Sequence, residues 1–224
     1  MTSRSRTLTV SRQDVQRATD EDGDPWAVSN GLLYRLCRQY LDHRNASGVT
    51  AKMLLIGRAY AAAAERGRSG GSAADSSGDE FYVRDLPRAL RASPIDATLR
   101  PLRRMATVTD QNVGQIVEAH FVLMAELSDL TGLEKRALAS KYLHFHLPRL
   151  YFIFDSRAER MIRKVAGARE PSSKRARYGG DPQYALFVVR ALALREQLQR
   201  RFGLRLTPRQ LDRVLLALEA KERK

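Results

Sequence analysis

Between residues 110 and 130, Val113, Ile116, Val117, His120, Phe121, Met124 and Leu127 fall at offsets of 0, 3, 4, 7, 8, 11 and 14. Spacings of three and four lay all seven on one side of an α-helix, and a stripe that long has to be buried against other elements. Shorter stripes repeat the pattern along the chain. Leu32, Leu33, Leu36, Tyr40 and Leu41 mark a helix over residues 25–43, capped by Asp24, and Met53, Gly57, Tyr60, Ala61 and Ala64 mark another over 50–66. Asp181-Pro182 opens a helix carrying Tyr184, Phe187, Val188, Ala191, Leu194 and Leu198, and Thr207-Pro208 opens one burying Leu211, Val214, Leu215 and Leu218. Proline in a first turn and a capping side chain before it are helix-start signals. No apolar-polar alternation lasts long enough to build a sheet, and no repeat occurs at solenoid periods. The fold class read from the chain is an all-α helical bundle.

Its organisation follows from composition along the chain. Residues 1–23 are polar, with Leu8, Val10 and Val15 as scattered apolar positions, and read as a loose N-terminal arm. Residues 24–224 read as a single helical domain, interrupted by a flexible Gly- and Ser-rich loop at 67–80. Pro87 and Pro101 trim or kink the two short helices expected over 81–92 and 95–105.

The chain carries 39 basic and 25 acidic side chains, a net charge of +14. Densely anionic partners are the first expectation from such a balance, with double-stranded DNA leading. The bias of 32 arginines against 7 lysines also fits a coding preference without a partner behind it. The Lys174-Arg175-Ala176-Arg177 segment makes Lys174, Arg175 and Arg177 the candidate phosphate contacts. A membrane partner is not expected, since no helix pairs a basic face with a Trp/Phe/Leu-rich one and no run approaches ~18 apolar residues. The arginine-bearing N-terminus has no signal-like apolar core, so the expected location is cytoplasmic, and nucleoid-associated if DNA is bound. Cys37 is the single cysteine, which excludes an intramolecular disulfide and a cysteine-built zinc site. No metal-ligand spacing and no cofactor motif is present.

The segment from Ser140 to Arg157 is where chemistry concentrates. Lys141 lies on a helix over 133–147, with Leu138 three residues before it and Phe145 four after it on the same side. A lysine held among apolar groups loses hydration of its ammonium, and the neutral amine becomes a nucleophile. The same spacing also fits a stem that packs while the charge reaches water. An apolar run, residues 150–154, leads to Asp155, after which Ser156-Arg157-Ala158-Glu159 has the S-x-x-E form of a capping box. Either Ser156 caps the next helix and leaves Asp155 free at its positive end, or Asp155 caps it and Ser156 begins the turn. His144, three residues from Lys141, its neighbour Tyr142, and Arg157 are the candidate substrate-pocket residues. His120 reads as a satisfied core histidine, and His144 and His146 point to different sides of their helix.

A lysine on a helix, an apolar segment and an aspartate at the start of the next helix resemble the helix-hairpin-helix DNA glycosylases of the 8-oxoguanine type. The likeness is closer to a bacterial group of that fold with S/T-K-x-L-x-F followed by I-x-D-S-R, and it covers residues 131–162. The resemblance implies a helix-hairpin-helix bundle that excises a damaged base. Lys141 would attack the sugar C1′ as the base leaves and form a Schiff base, and Asp155 would activate that amine or balance the oxocarbenium charge. Here no Gly-x-Gly turn precedes the lysine, and the interval to Asp155 is about one helical turn shorter than in typical members. A non-catalytic nucleic-acid-binding module and a helical protein-interaction or regulatory bundle remain as alternatives.

Overall fold

The computed structural model describes residues 9–20, 24, 26–62, 64, 80–165 and 179–223, and no strand occurs among them. Ten α-helices form there: α1 (Arg12–Thr19), α2 (Ala27–Gln39), α3 (Ala46–Ala59), α4 (Leu86–Ala92), α5 (Ile95–Leu102), α6 (Val113–Thr131), α7 (Arg136–His146), α8 (Ser156–Val165), α9 (Pro182–Phe202) and α10 (Pro208–Glu222). A π-helical turn, Phe81–Asp85, runs directly into α4. Its wider winding sits just ahead of Pro87, whose ring and missing N–H disrupt ordinary i to i−4 pairing. The other boundaries have local causes. The Asn45 side chain accepts from the Gly48 N–H to start α3, Asp181 does the same for Gln183 at α9, and Thr207 forms a capping box with Gln210 at α10. Gly132 and Gly203, in the left-handed region at φ 71° and 73°, close α6 and α9.

Residues 12–19 are not a loose arm. Ser11 and Asp14 form a capping box, Val10, Val15 and Ala18 are buried, and α1 packs along α10. Lys221 binds the Asp14 carboxylate, and Arg201 Nη1 donates to the Val10 carbonyl at 3.1 Å. An eight-residue helix with so few apolar positions shows no stripe in sequence. It is held by its cap and by tertiary contacts with a helix some two hundred residues away. The loop at 67–80 lies almost wholly outside the described residues.

Helix α7 is the hub, packing against α2, α3 and α6, while α8 packs on α9 and α10. Nine consecutive residues of α7, Leu138 through His146, are buried. The helix is thus enclosed on all sides although four of those nine are Ser140, Lys141, His144 and His146, and each of the four finds a hydrogen-bond partner.

Between α7 and α8 the chain crosses the core in an extended connector, Leu150–Phe154, all buried and unpaired with any strand. Side chains take over the hydrogen bonding that a sheet would have supplied. The Ser140 hydroxyl accepts from the Phe154 N–H at 3.0 Å and shares its own hydrogen between the Ala137 and Phe154 carbonyls. The Tyr151 carbonyl accepts from His144 Nδ1 at 2.8 Å, and the Phe152 carbonyl accepts from the Tyr184 hydroxyl at 3.1 Å. Because Ser140 precedes Lys141 and Phe154 precedes Asp155, this clamp fixes the spacing of those two side chains.

Candidate functional site

Lys141 is 5% exposed, and its Nζ donates to the Tyr60 carbonyl at 3.3 Å and lies 3.9 Å from Asp155 Oδ2. The Tyr60 ring adds a cation–π contact at 5.7 Å. Burial lowers the affinity of the amine for its proton, and the Asp155 charge opposes that only in part. The stem does not snorkel to open water. The nitrogen ends at the wall of a cavity.

Asp155, not Ser156, caps α8. Its Oδ1 accepts from the backbone N–H groups of Arg157 at 3.0 Å and Ala158 at 2.9 Å, while Ser156 is the first helical residue. Glu159, which a capping box would turn back, accepts instead from Arg163 at 2.5 Å. The cap occupies one carboxylate oxygen. The other, Oδ2, faces two cations, Lys141 at 3.9 Å and Arg157 Nη2 at 3.8 Å.

The cavity has a volume of about 340 Å³, within the range of small-ligand sites. Its walls come from both ends of the chain: Trp26 and Asn30 of the α2 region, Tyr60 and Ala61 at the end of α3, Lys141, the start of α8, and Arg209, Asp212 and Leu216 of α10. The Tyr60 hydroxyl donates to Asn30 Oδ1 at 2.5 Å. Trp26 is 59% exposed at this wall, an open aromatic surface on which a planar group can stack. Ala61 adopts φ 51° in the left-handed region, a strained backbone for an alanine beside the lysine.

Asp212 was not identifiable from the sequence. It is 4% exposed, its Oδ2 accepts from Arg209 Nη1 at 3.2 Å, and its Oδ1 is buried without a hydrogen-bond partner. Burial raises its pKa to about 7, against the pull of Arg209. One wall therefore holds a depressed amine, and another holds a carboxyl poised to exchange a proton near neutrality. Such a division suits acid-base chemistry. The only sequence trace of it is an aspartate that shares one side of α10 with Leu215 and Leu216, three and four residues on.

Of the remaining expected residues, Arg157 lines the cavity. His144 and Tyr142 do not. His144 is fully buried, donating to the Tyr151 carbonyl and accepting from the Tyr34 hydroxyl at 2.8 Å, and burial lowers its pKa to about 4. Tyr142 is fully buried and donates to His43 Nε2 at 2.9 Å. Helical proximity to Lys141 predicts a place in the pocket for both. Because α7 is enclosed, neighbours in sequence face different interior surroundings. His120 stacks on Tyr184 with ring centroids 3.7 Å apart and donates from Nε2 to the Arg136 carbonyl. Lys174, Arg175 and Arg177 lie outside the described residues.

A second buried polar cluster joins α3 to α7. Lys52, fully enclosed, donates to the Tyr40 carbonyl at 2.7 Å, the Asp42 carbonyl at 3.2 Å and His146 Nε2 at 3.1 Å. His43 bridges Asp96 and Tyr142 alongside it. Every donor direction there ends on a protein acceptor, so the cluster reads as core cross-bracing. Cys37 is buried nearby, with its thiol pushed up to about 12. Among the described residues no group of three or more His, Cys, Asp or Glu side chains could hold a metal, and no helix is long and apolar enough to cross a membrane.

No protein-family profile, curated protein or solved structure matches this chain.

Proposed function

We propose that the Lys141 cavity is the active site of a DNA base-excision enzyme resembling the helix-hairpin-helix glycosylases, acting through a lysine Schiff base. The observation that carries this reading is a buried amine of lowered basicity, 3.9 Å from a carboxylate, in the wall of a cavity of ligand size. In the reaction, the Nζ lone pair forms a bond to C1′ of a deoxyribose while the glycosidic bond breaks, and the departing base takes that electron pair together with a proton from the Asp212 carboxyl, which burial keeps protonated to near neutrality. The nitrogen, now an ammonium, returns one proton to that carboxylate; the C1′–O4′ bond then breaks as the nitrogen lone pair forms the C=N bond, and O4′ takes the proton back from the carboxyl, leaving a protonated imine to Lys141. Asp155 Oδ2 faces the position where positive charge develops, and Arg157 is close to it. The chain's charge of +14 favours the polyanionic partner. Borohydride in the presence of duplexes containing oxidised, deaminated or abasic sites tests the proposal. A covalent adduct is expected with the native protein and none with Lys141→Gln. No adduct across the lesion panel would reject the enzyme.

A second reading, a nucleic-acid-binding module without catalysis, rests on Asp155 already serving as the α8 cap and on Lys141 already donating to Tyr60. The pair is then a structural tie across the α7–α8 junction. In that case duplex binding persists and trapping fails.

A further inference from the structure

Beside the Lys141 cavity lies a second hollow, of about 410 Å³, between α2, the Pro148-Arg149 turn and the start of α10. Four of its lining residues are arginines, Arg38, Arg149, Arg209 and Arg213, against the single carboxylate of Asp24. The side chains of Arg38 and Arg149 are exposed and make no hydrogen bond or ion pair among the described residues. Many other arginines of the chain have carboxylate partners, Arg163 with Glu159 and Arg223 with Glu219 among them. Arg213 is held in place by donating to the Arg17 and Asp20 carbonyls, at 3.2 Å and 2.7 Å, and so presents a fixed charge. Arg209 binds Asp212, and its Nε is buried without a partner. The one carboxylate is itself occupied, with Asp24 Oδ1 accepting from the Trp26 N–H at 3.0 Å.

Arg38, Arg149 and Arg213 have no carboxylate partner among the described residues, and like charges gathered in a concave surface repel one another while the walls focus their field outward. That arrangement is relieved by a ligand carrying several negative charges in a row. Guanidinium groups also match phosphate oxygens in geometry. Position supplies the second half of the argument, because Asn30 and Arg209 line both hollows. A strand lying in the arginine groove would therefore deliver one nucleotide to the wall that carries Lys141.

We propose that the groove formed by Arg38, Arg149, Arg209 and Arg213 holds the phosphate backbone of the DNA strand whose nucleotide enters the Lys141 cavity. This rests on the reading of that cavity as a DNA site and adds the contact surface that orients the strand. It also places phosphate binding on described residues of α2, the Pro148-Arg149 turn and α10, apart from the 174–177 segment.

The test is binding of a duplex containing a tetrahydrofuran abasic-site analogue, followed by fluorescence anisotropy over a range of salt concentrations. The full chain is compared with Arg38→Glu/Arg149→Glu, both substituted residues being exposed and neither side chain bonding Lys141 or Asp155. Loss of two phosphate contacts should weaken binding by roughly tenfold or more at moderate salt and reduce the slope of log affinity against log salt by about 2. Arg38→Lys/Arg149→Lys should retain the native slope. Affinity and slope unchanged in the glutamate variant would overturn the groove. The outcome separates from that of the chemistry. Borohydride adducts with an unchanged salt slope remove the groove and leave the enzyme, and a reduced slope without adducts does the reverse. A native chain that fails to bind the duplex refutes both.

Discussion

Asp212→Asn replaces the buried cavity carboxyl with a neutral amide of nearly the same shape. Burial raises the pKa of Asp212 from the usual carboxylate value of 3.8 to about 7. At about 1.4 kcal/mol per pH unit, that separation corresponds to on the order of 4 kcal/mol. Between those two pH values the folded protein retains a proton that the unfolded chain has released. The folded state thus binds more protons, and stability falls as pH rises through the window. Below pH 4 the contribution is absent, and above pH 7 it is complete. The amide has no such dependence, and its carbonyl can still accept from Arg209. The stability difference between variant and native protein should therefore move in the variant's favour by roughly 4 kcal/mol from pH 4 to pH 8. His120 and His144, both held near 4 by burial, titrate in an overlapping range with the opposite sign, since their protonation favours the unfolded chain as pH falls. They are common to both proteins and cancel in the difference. Urea unfolding of the two proteins at fixed ionic strength and stepped pH measures it. A difference that does not vary with pH would refute the argument that burial keeps Asp212 protonated.

Lys52→Met leaves the Tyr40 and Asp42 carbonyls and His146 Nε2 without their shared donor, and should lower stability by about 2–3 kcal/mol. An unchanged urea midpoint would show that water replaces the amine at no cost. Ser140→Ala removes the hydroxyl that binds both the N–H and the carbonyl of Phe154, and should cost about 1–3 kcal/mol. Amide hydrogen exchange at Phe154 should quicken at the same time, and protection equal to the native protein's would contradict the clamp.

The helical bundle was legible because long stripes such as Val113 to Leu127 have one physical meaning, and Asp181 and Thr207 mark starts that hydrogen bonding enforces, whereas α3 begins four residues ahead of the expected 50, at a cap formed by Asn45. Lys141 and Asp155 could be paired in advance because one connector separates them. The cap of α8 could not be settled from spelling. Ser156 and Asp155 are both good caps, and the choice is made by the Ser140 clamp, which fixes where Phe154 ends. His144 and Tyr142 were misplaced because sequence proximity on a helix predicts a shared environment only when one face is buried, and α7 is buried on every face. Asp212, Arg209 and Asn30 reach the cavity through tertiary packing of α2 and α10, which local periodicity does not encode. For the same reason α1, whose partner lies at the far end of the chain, escaped notice.

Because α10 supplies a wall over Lys141 and is itself secured by α1 through Lys221 and Asp14, the lowered basicity of the amine depends on α1 and α10 being seated together. Release of that terminal helix would admit water to the nitrogen and return it to an ordinary, fully protonated surface lysine. The lowered basicity, and with it the chemistry proposed for Lys141, is thereby confined to the finished molecule, and a partly assembled chain carries the same residue as an ordinary cation.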